Sequence, residues 1–219
     1  NASVYLVIAQ TDPSKGSRVI NCLIVEKDWP GVVVAAKENK MGIRASDTHT
    51  VLFNDVKVPK ANRIGEDGFG FKFAMKTLSG GRIGIASQAL GISSGAYELS
   101  LAYAKERKAF GKEISKHQAI QFKLATMATK IEAARLLTLH AAWVKDQDKP
   151  YIKEAAMAKL YASEIAQYVT SEAVQIHGGY GYVREFHVER MMRDAKITEI
   201  YEGTSEIHRM VIAREVLKD

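Results

Sequence analysis

"AIQFKLATMATKIEAA", residues 119–134, is the stretch whose reading settles how most of this chain folds. Ile120, Leu124, Met127, Ile131 and Ala134 recur at spacings of four and three, so they share one stripe of a helix. The pattern predicts a helix from Ser115 to about Lys145, with an apolar seam turned towards its neighbours. Beyond Pro150 the next helical stretch carries Ala155, Ala156, Ala158, Ala162 and Ala166, with Ile165 and Val169 on one face. Side chains this small let helix axes approach closely, as in a bundle. Gly178, Gly179 and Gly181 close that helix, and two more are expected over residues 184–195 and 204–217. Upstream, a short helix over 71–78 is expected to break at Gly80 and Gly81, and a long one to run from Arg82 to about Ala109.

The first quarter follows another rule. "SVYLVIAQ" (3–10), "RVINCLIVE" (18–26), "GVVVAAK" (31–37) and "HTVLFNDVKV" (49–58) are rich in Val, Ile and Leu and are separated by turn formers. They read as four antiparallel strands that do not close a sheet by themselves, and "VPKANRIGEDGFG" (58–70) reads as the loop after them. The expected fold is therefore α+β and mostly α. Part of a β domain occupies residues 1–62, and an antiparallel four-helix-type bundle occupies residues 63–219. The start at Asn1, directly before a strand-like run, reads as that of a fragment or a processed product.

Composition narrows the function classes. With 47% hydrophobic and 26% charged residues, the chain has the make-up of an ordinary globular protein. The single Cys22 excludes an internal disulfide framework, and the six histidines show no metal-ligand spacing. No apolar run is long enough to cross a bilayer. The net charge of +6 is spread among interleaved acids, and "KERKAFGKEISK" (105–116) is the densest basic stretch. Nothing here interleaves aromatics with bases in the manner of an RNA-binding sheet, so an anionic cofactor ranks ahead of nucleic acid.

Three stretches carry candidate chemistry. In "TEIYEGTSEIH" (198–208), Glu202 stands between Tyr201 and Gly203 just before the last helix. An acid near a helix start stabilises the dipole by a few tenths to about 1 kcal/mol, which is the plain structural reading. Gly203, however, lets a ligand approach the backbone, and a positioned carboxylate serves as a general base worth on the order of 10²- to 10⁴-fold. The glycines of "QIHGGYGY" (175–182) close a helix rather than open one, so they read as a cap and turn, or as bare backbone against a flat ligand. In "YAKERKAFGKEISKHQ" (103–118), Arg107, Phe110 and Gly111 come at a helix end and Gln118 at a helix start. A guanidinium there forks onto phosphate oxygens, or else sits on a solvated basic turn.

Read in order, "NKMGIRASDTHTVLFNDVKVP" (39–59), "GRIGIASQALG" (81–91), "ERKAFGK" (106–112), "HQAIQFKLATMA" (117–128), "AVQIHGGYGYV" (173–183) and "MRDAKITEIYEGTSEIHR" (192–209) resemble the acyl-CoA dehydrogenase family. "TLSGGRIGIASQALGI" (77–92), "KPYIKEAAMAKLYASE" (149–164) and "TEIYEGTSEI" (198–207) look most like its short-chain, butyryl-CoA branch. The resemblance implies that FAD oxidises an acyl-CoA thioester to the trans-2-enoyl-CoA, with Glu202 as the base that takes the α-proton. It implies FAD contacts for Arg107, Phe110, Gln118, Gln175, Ile176, His177, Gly178, Gly179, Thr204, Ser205 and Glu206. Acyl-CoA contacts are implied for Ser79, Gly80, Gly81, Arg82, Tyr201 and Gly203, with Ser79 standing where many relatives carry an acid. Further implications are an electron-transferring flavoprotein as acceptor and a homo-oligomer built as a dimer of dimers. Neither nucleic acid nor membrane is an expected partner. The location is the cytoplasm of a bacterium or the mitochondrial matrix of a eukaryote. The family's N-terminal helical domain and first β segment are expected to lie outside this stretch. Alternatives left open are a medium- or branched-chain dehydrogenase, an acyl-CoA oxidase, and a non-catalytic oligomerisation module.

Overall fold

A computed structural model describes residues 2–218, so Asn1 and Asp219, the outer ends of the two expected domains, lie outside the described residues. The chain forms two compact units. One holds the residues up to Lys40 together with Arg44–Leu78, and the other holds Met41–Ile43 and the residues from Ser79 onward.

In the first unit, β1 (Val4–Gln10) pairs antiparallel with β2 (Ile20–Glu26), Val4 opposite Glu26 and Gln10 opposite Ile20. β3 (Val32–Lys37) and β4 (His49–Phe53) form a separate antiparallel hairpin with an irregularity between Val34 and Lys37. A strand absent from the sequence reading, β5 (Arg63–Ile64), adds to β2 through Leu23 and Cys22. Cys22 and Val25 are the buried apolar residues here. The first compact unit runs on to Leu78, and the reason is local. β5 pairs with β2, and Asn21 reaches the following loop by donating to Asp67 Oδ1 at 2.9 Å and accepting from Gly68 N–H at 3.0 Å. Gly68, with φ of 80°, lies so close to Arg18 that a Cβ would stand 2.1 Å from its carbonyl oxygen. Residues 63–78 therefore pack with the strands.

Helix α1 (Gly70–Glu106) passes through Gly80 and Gly81 without the expected break. A glycine inside a helix costs only about 1 kcal/mol against alanine, and neither of these takes a left-handed φ. The helix ends at Glu106 rather than at Ala109, because a small hairpin follows: β6 (Lys108–Ala109) pairs with β7 (Lys112–Glu113). Its two turn residues, Phe110 (φ 51°) and Gly111 (φ 80°), are both left-handed, as a tight hairpin turn requires.

The second unit is the expected antiparallel helical bundle. α2 (Gln118–Asp146) buries Leu124, Met127, Ile131 and Ala134, as the opening pattern predicts, and continues the stripe with Thr138 and Ala141. Burial of a side chain such as Met127 is worth about 1.5–3 kcal/mol. A short connection turns the chain back into α3 (Ile152–His177), which packs on α2, α4 (Val188–Lys196) and α5 (Ser205–Val216). Ala155, Ala156, Ala158, Ala162 and Ala166 of α3 are fully buried, so the small residues sit where helices approach one another. Met41–Ile43 belongs here because Asp194 on α4 accepts from Ile43 N–H at 2.6 Å and Arg193 donates to the Met41 carbonyl at 2.8 Å.

Candidate active site

α3 is the floor on which the residues around Glu202 are assembled. After α4, a single 3-10 turn (Ile197–Glu199) leads to a corner in which two successive residues are left-handed, Glu202 at φ 54° and Gly203 at φ 95°. For glutamate this conformation costs roughly 1–2 kcal/mol, so the surrounding structure has to impose it. Thr204 then caps α5, its hydroxyl accepting from Ile207 N–H at 3.5 Å.

The corner turns the Glu202 carboxylate towards α1. A Cβ on Gly81 would stand 2.7 Å from Glu202 Oε2 and 3.0 Å from Cδ, so any side chain there would push the carboxylate back from α1. Oε2 is shielded from solvent and has no hydrogen-bond partner among the described residues. Arg82 follows on α1, half-buried, with its Nε likewise shielded and unmatched. Burial pushes its guanidinium down, while the Glu202 carboxylate opposes that shift. Tyr201 donates its hydroxyl to Gln88 Oε1, two turns along α1 from Gly81, and burial pushes the phenol up. Beneath the corner, fully buried Lys159 donates to the Gly203 carbonyl at 2.7 Å, and burial pushes its amine down to about 8. His208 is also fully buried, with both ring nitrogens lacking a hydrogen-bond partner among the described residues. Burial pushes its imidazole down to about 4, and the charges of Lys159 and Arg82 act in the same sense.

Of the expected acyl-CoA residues, Gly81, Arg82, Tyr201 and Gly203 gather at this corner. Gly80 faces another way, with Lys145 Nζ 3.7 Å and the Tyr151 hydroxyl 3.9 Å from the position of its absent Cβ. Ser79 precedes them on the same helix.

The expected cofactor residues fall into three groups. Arg107, Ile176, His177, Gly178 and Gly179 line one cavity of about 570 Å³ together with Tyr103, Ile114, Tyr180 and Val183. Within it, Tyr103 stacks on His177 with centroids 4.3 Å apart, His177 Nδ1 lies 2.8 Å from the Ala173 carbonyl, and the Arg107 guanidinium sits 5.5 Å over the Tyr180 ring. Arg107 makes no ion pair among the described residues, and Cβ atoms on Gly178 and Gly179 would meet nothing within 4 Å. Thr204, Ser205 and Glu206 line a different cavity, of about 370 Å³, with Lys196, Glu199 and Arg209. Phe110, 96% exposed at the hairpin tip, and the exposed Gln118 and Gln175 line neither. An unpaired guanidinium beside bare glycine backbone and stacked rings fits a flat, phosphate-bearing ligand. Among the described residues no cluster of side chains is arranged to hold a metal ion, and no helix is long and apolar enough to cross a membrane.

Lys159, Gln88 and His208 were missed in the sequence. Lys159 left a trace, since it falls four residues after Ala155 and three before Ala162, on the stripe that the alanines bury. Gln88, seven residues after Gly81, shares its face of α1.

The chain shares its fold and much of its sequence with known proteins. The family model "Acyl-CoA dehydrogenase, C-terminal domain" matches residues 68–217. The chain is 54% identical over 217 residues to acryloyl-CoA reductase (NADH) of Anaerotignum propionicum, covering 99% of this chain and 55% of that protein. To the mitochondrial short-chain specific acyl-CoA dehydrogenase of Bos taurus it is 55% identical over 217 residues, covering 99% and 53%. The solved structure of butyryl-CoA dehydrogenase from Megasphaera elsdenii matches with a TM-score of 0.97 at 52% identity, over 99% of this chain and 57% of that one. The chain thus spans about half the length of the curated relatives it matches.

Proposed function

The chain belongs to the acyl-CoA dehydrogenase family, and from that premise we propose that the whole protein dehydrogenates short-chain acyl-CoA thioesters across the α,β bond, with Glu202 as base. The observation that supports this most is Glu202 Oε2, out of solvent, without a partner among the described residues, and opposite Gly81 on α1, where a methyl group would crowd it. A buried acceptor left unmatched costs about 1–3 kcal/mol, and the proton of a bound thioester is a partner that would satisfy it. Such a base contributes on the order of 10²- to 10⁴-fold. Hydrogen bonds to the thioester oxygen would make the α-carbon more acidic.

FAD, when bound, would supply the acceptor for the hydride that leaves the β-carbon. Arg107 would fork onto its phosphates, and Gly178 and Gly179 would offer it bare backbone beside His177 and Ile176. Phe110, Gln118, Gln175 and the Thr204–Glu206 turn are proposed as further contacts, Phe110 from the exposed tip of its hairpin. Electrons would pass to an electron-transferring flavoprotein, and the assembly would be a dimer of dimers. The location would be the cytoplasm of a bacterium or the mitochondrial matrix of a eukaryote. The domain limits 1–62 and 63–219 stand as a proposal for the whole protein's organisation.

A second reading has a specific observation behind it, the relative named as an acryloyl-CoA reductase. Run in reverse, the same corner delivers the proton from Glu202 to the α-carbon, so the two readings share the residue and differ in direction. In the full-length enzyme, Glu202→Gln is expected to retain flavin absorbance and lose nearly all turnover. Wild-type turnover in that variant refutes the base assignment. Saturated thioester with an artificial electron acceptor, assayed against 2-enoyl thioester with NADH, distinguishes the directions.

A further inference from the structure

The corner that carries Glu202 is strained, and one buried cation holds it. Two left-handed residues in succession would relax unless tied down, and the tie is the Lys159 ammonium, 2.7 Å from the carbonyl oxygen of Gly203. Lys159 is fully buried and makes no ion pair with a carboxylate among the described residues. Desolvating an ammonium costs several kcal/mol, and one carbonyl offsets little of that. On α3 it is flanked by Ala155, Ala156, Ala158 and Ala162, with Leu160 and Ser163, so a methionine or leucine would fill the same space without the charge. The expense falls at the one place where the amine meets the residue next to the base. We propose that Lys159 is a positioning residue of the dehydrogenation, its ammonium gripping the Gly203 carbonyl so that the Glu202 carboxylate stays aimed across Gly81.

This inference rests on the reading of Glu202 as base. The charged and titratable groups around the amine are Glu199, Glu202 and Glu206, which favour its protonated form, and Arg82, which opposes it. His208, buried beside Gly203, experiences the same amine as a repelling charge. Burial, the largest influence, lowers the amine to about 8, so the ammonium is held below that pH and lost above it.

The test uses the full-length enzyme. Lys159→Met keeps the volume and removes the charge, an exchange that buried sites commonly tolerate. Expected are wild-type flavin content and an unchanged KM, with kcat lower by on the order of 10²-fold, the scale of a base displaced by about 1 Å. A wild-type kcat, or a change confined to KM, overturns the proposal. Should Lys159→Met fail to fold or to hold flavin, the wild-type pH profile decides. A kcat that falls as pH rises through about 8, at constant KM, supports the grip, and a level profile there overturns it. Glu202→Gln is measured alongside. If that variant turns over normally, the base reading fails; if it is inactive while Lys159→Met is normal, only the grip fails.

Discussion

Gly81→Ala should make the protein more stable and less active, and the structure fixes both signs. The new Cβ would stand 2.7 Å from Glu202 Oε2, whereas ordinary contact begins at 3.4 Å, so the carboxylate has to retreat by about 0.7 Å. That retreat is cheap for folding, because the atoms that move are the far end of a side chain. For catalysis it is expensive, since misplacement by about 1 Å costs on the order of 10²-fold, and a kcat lower by roughly 10- to 10²-fold is expected. Meanwhile Gly81 sits inside α1 without a left-handed φ, so alanine gains up to about 1 kcal/mol of helix stability. Gly84→Ala is the control: its methyl meets nothing within 4 Å, so it should give the same stability gain with kcat intact. Denaturant midpoints and steady-state kinetics on the two variants check the account. A Gly81→Ala enzyme with wild-type kcat would refute the close approach of the carboxylate to α1.

His208, held at about 4 in the folded state against 6.5 unfolded, binds its proton more readily in the unfolded chain between those values, so stability is lost as pH falls from 6.5 to 4. The loss should approach about 3 kcal/mol, and His208→Leu should flatten that part of the urea-midpoint profile; equal acid slopes in both proteins would contradict it. Asp194→Ala leaves the Ile43 N–H unmatched, costing about 1–3 kcal/mol, and should speed amide exchange at Ile43, whereas unchanged protection there would count against the contact. Arg107→Ala should weaken FAD binding about 10- to 10²-fold in a fluorescence titration of the apoenzyme, the loss of a charged hydrogen bond, and an unaltered Kd would remove Arg107 from the cofactor site.

Periodicity made the bundle legible. The stripe from Ile120 to Ala134 located α2, and the alanines of α3 announced a helix closely approached by its neighbours, because side-chain spacing and size act locally. Glycines misled where tertiary contact decided. Gly80 and Gly81 read as a break, yet the helix continues and Gly81 is needed for the space it leaves to Glu202. Phe110 and Gly111 read as the end of a helix and proved to be the turn of a hairpin. The two-residue strand at Arg63–Ile64 has too little length to carry a pattern of its own, and pairing with β2 creates it. At the site, the acid next to glycine was visible in sequence. Lys159, 43 positions before Glu202 by their numbers, became its neighbour only through the packing of α3 under the corner.

The most direct measurement is α-proton exchange on an enzyme-bound acyl-CoA thioester in deuterium oxide, followed by mass spectrometry without an electron acceptor. Wild-type full-length enzyme should incorporate deuterium at the α-carbon, and Glu202→Gln, with its flavin in place, should do so on the order of 10²- to 10⁴-fold more slowly. Equal exchange rates in the two proteins would mean that another group takes the proton.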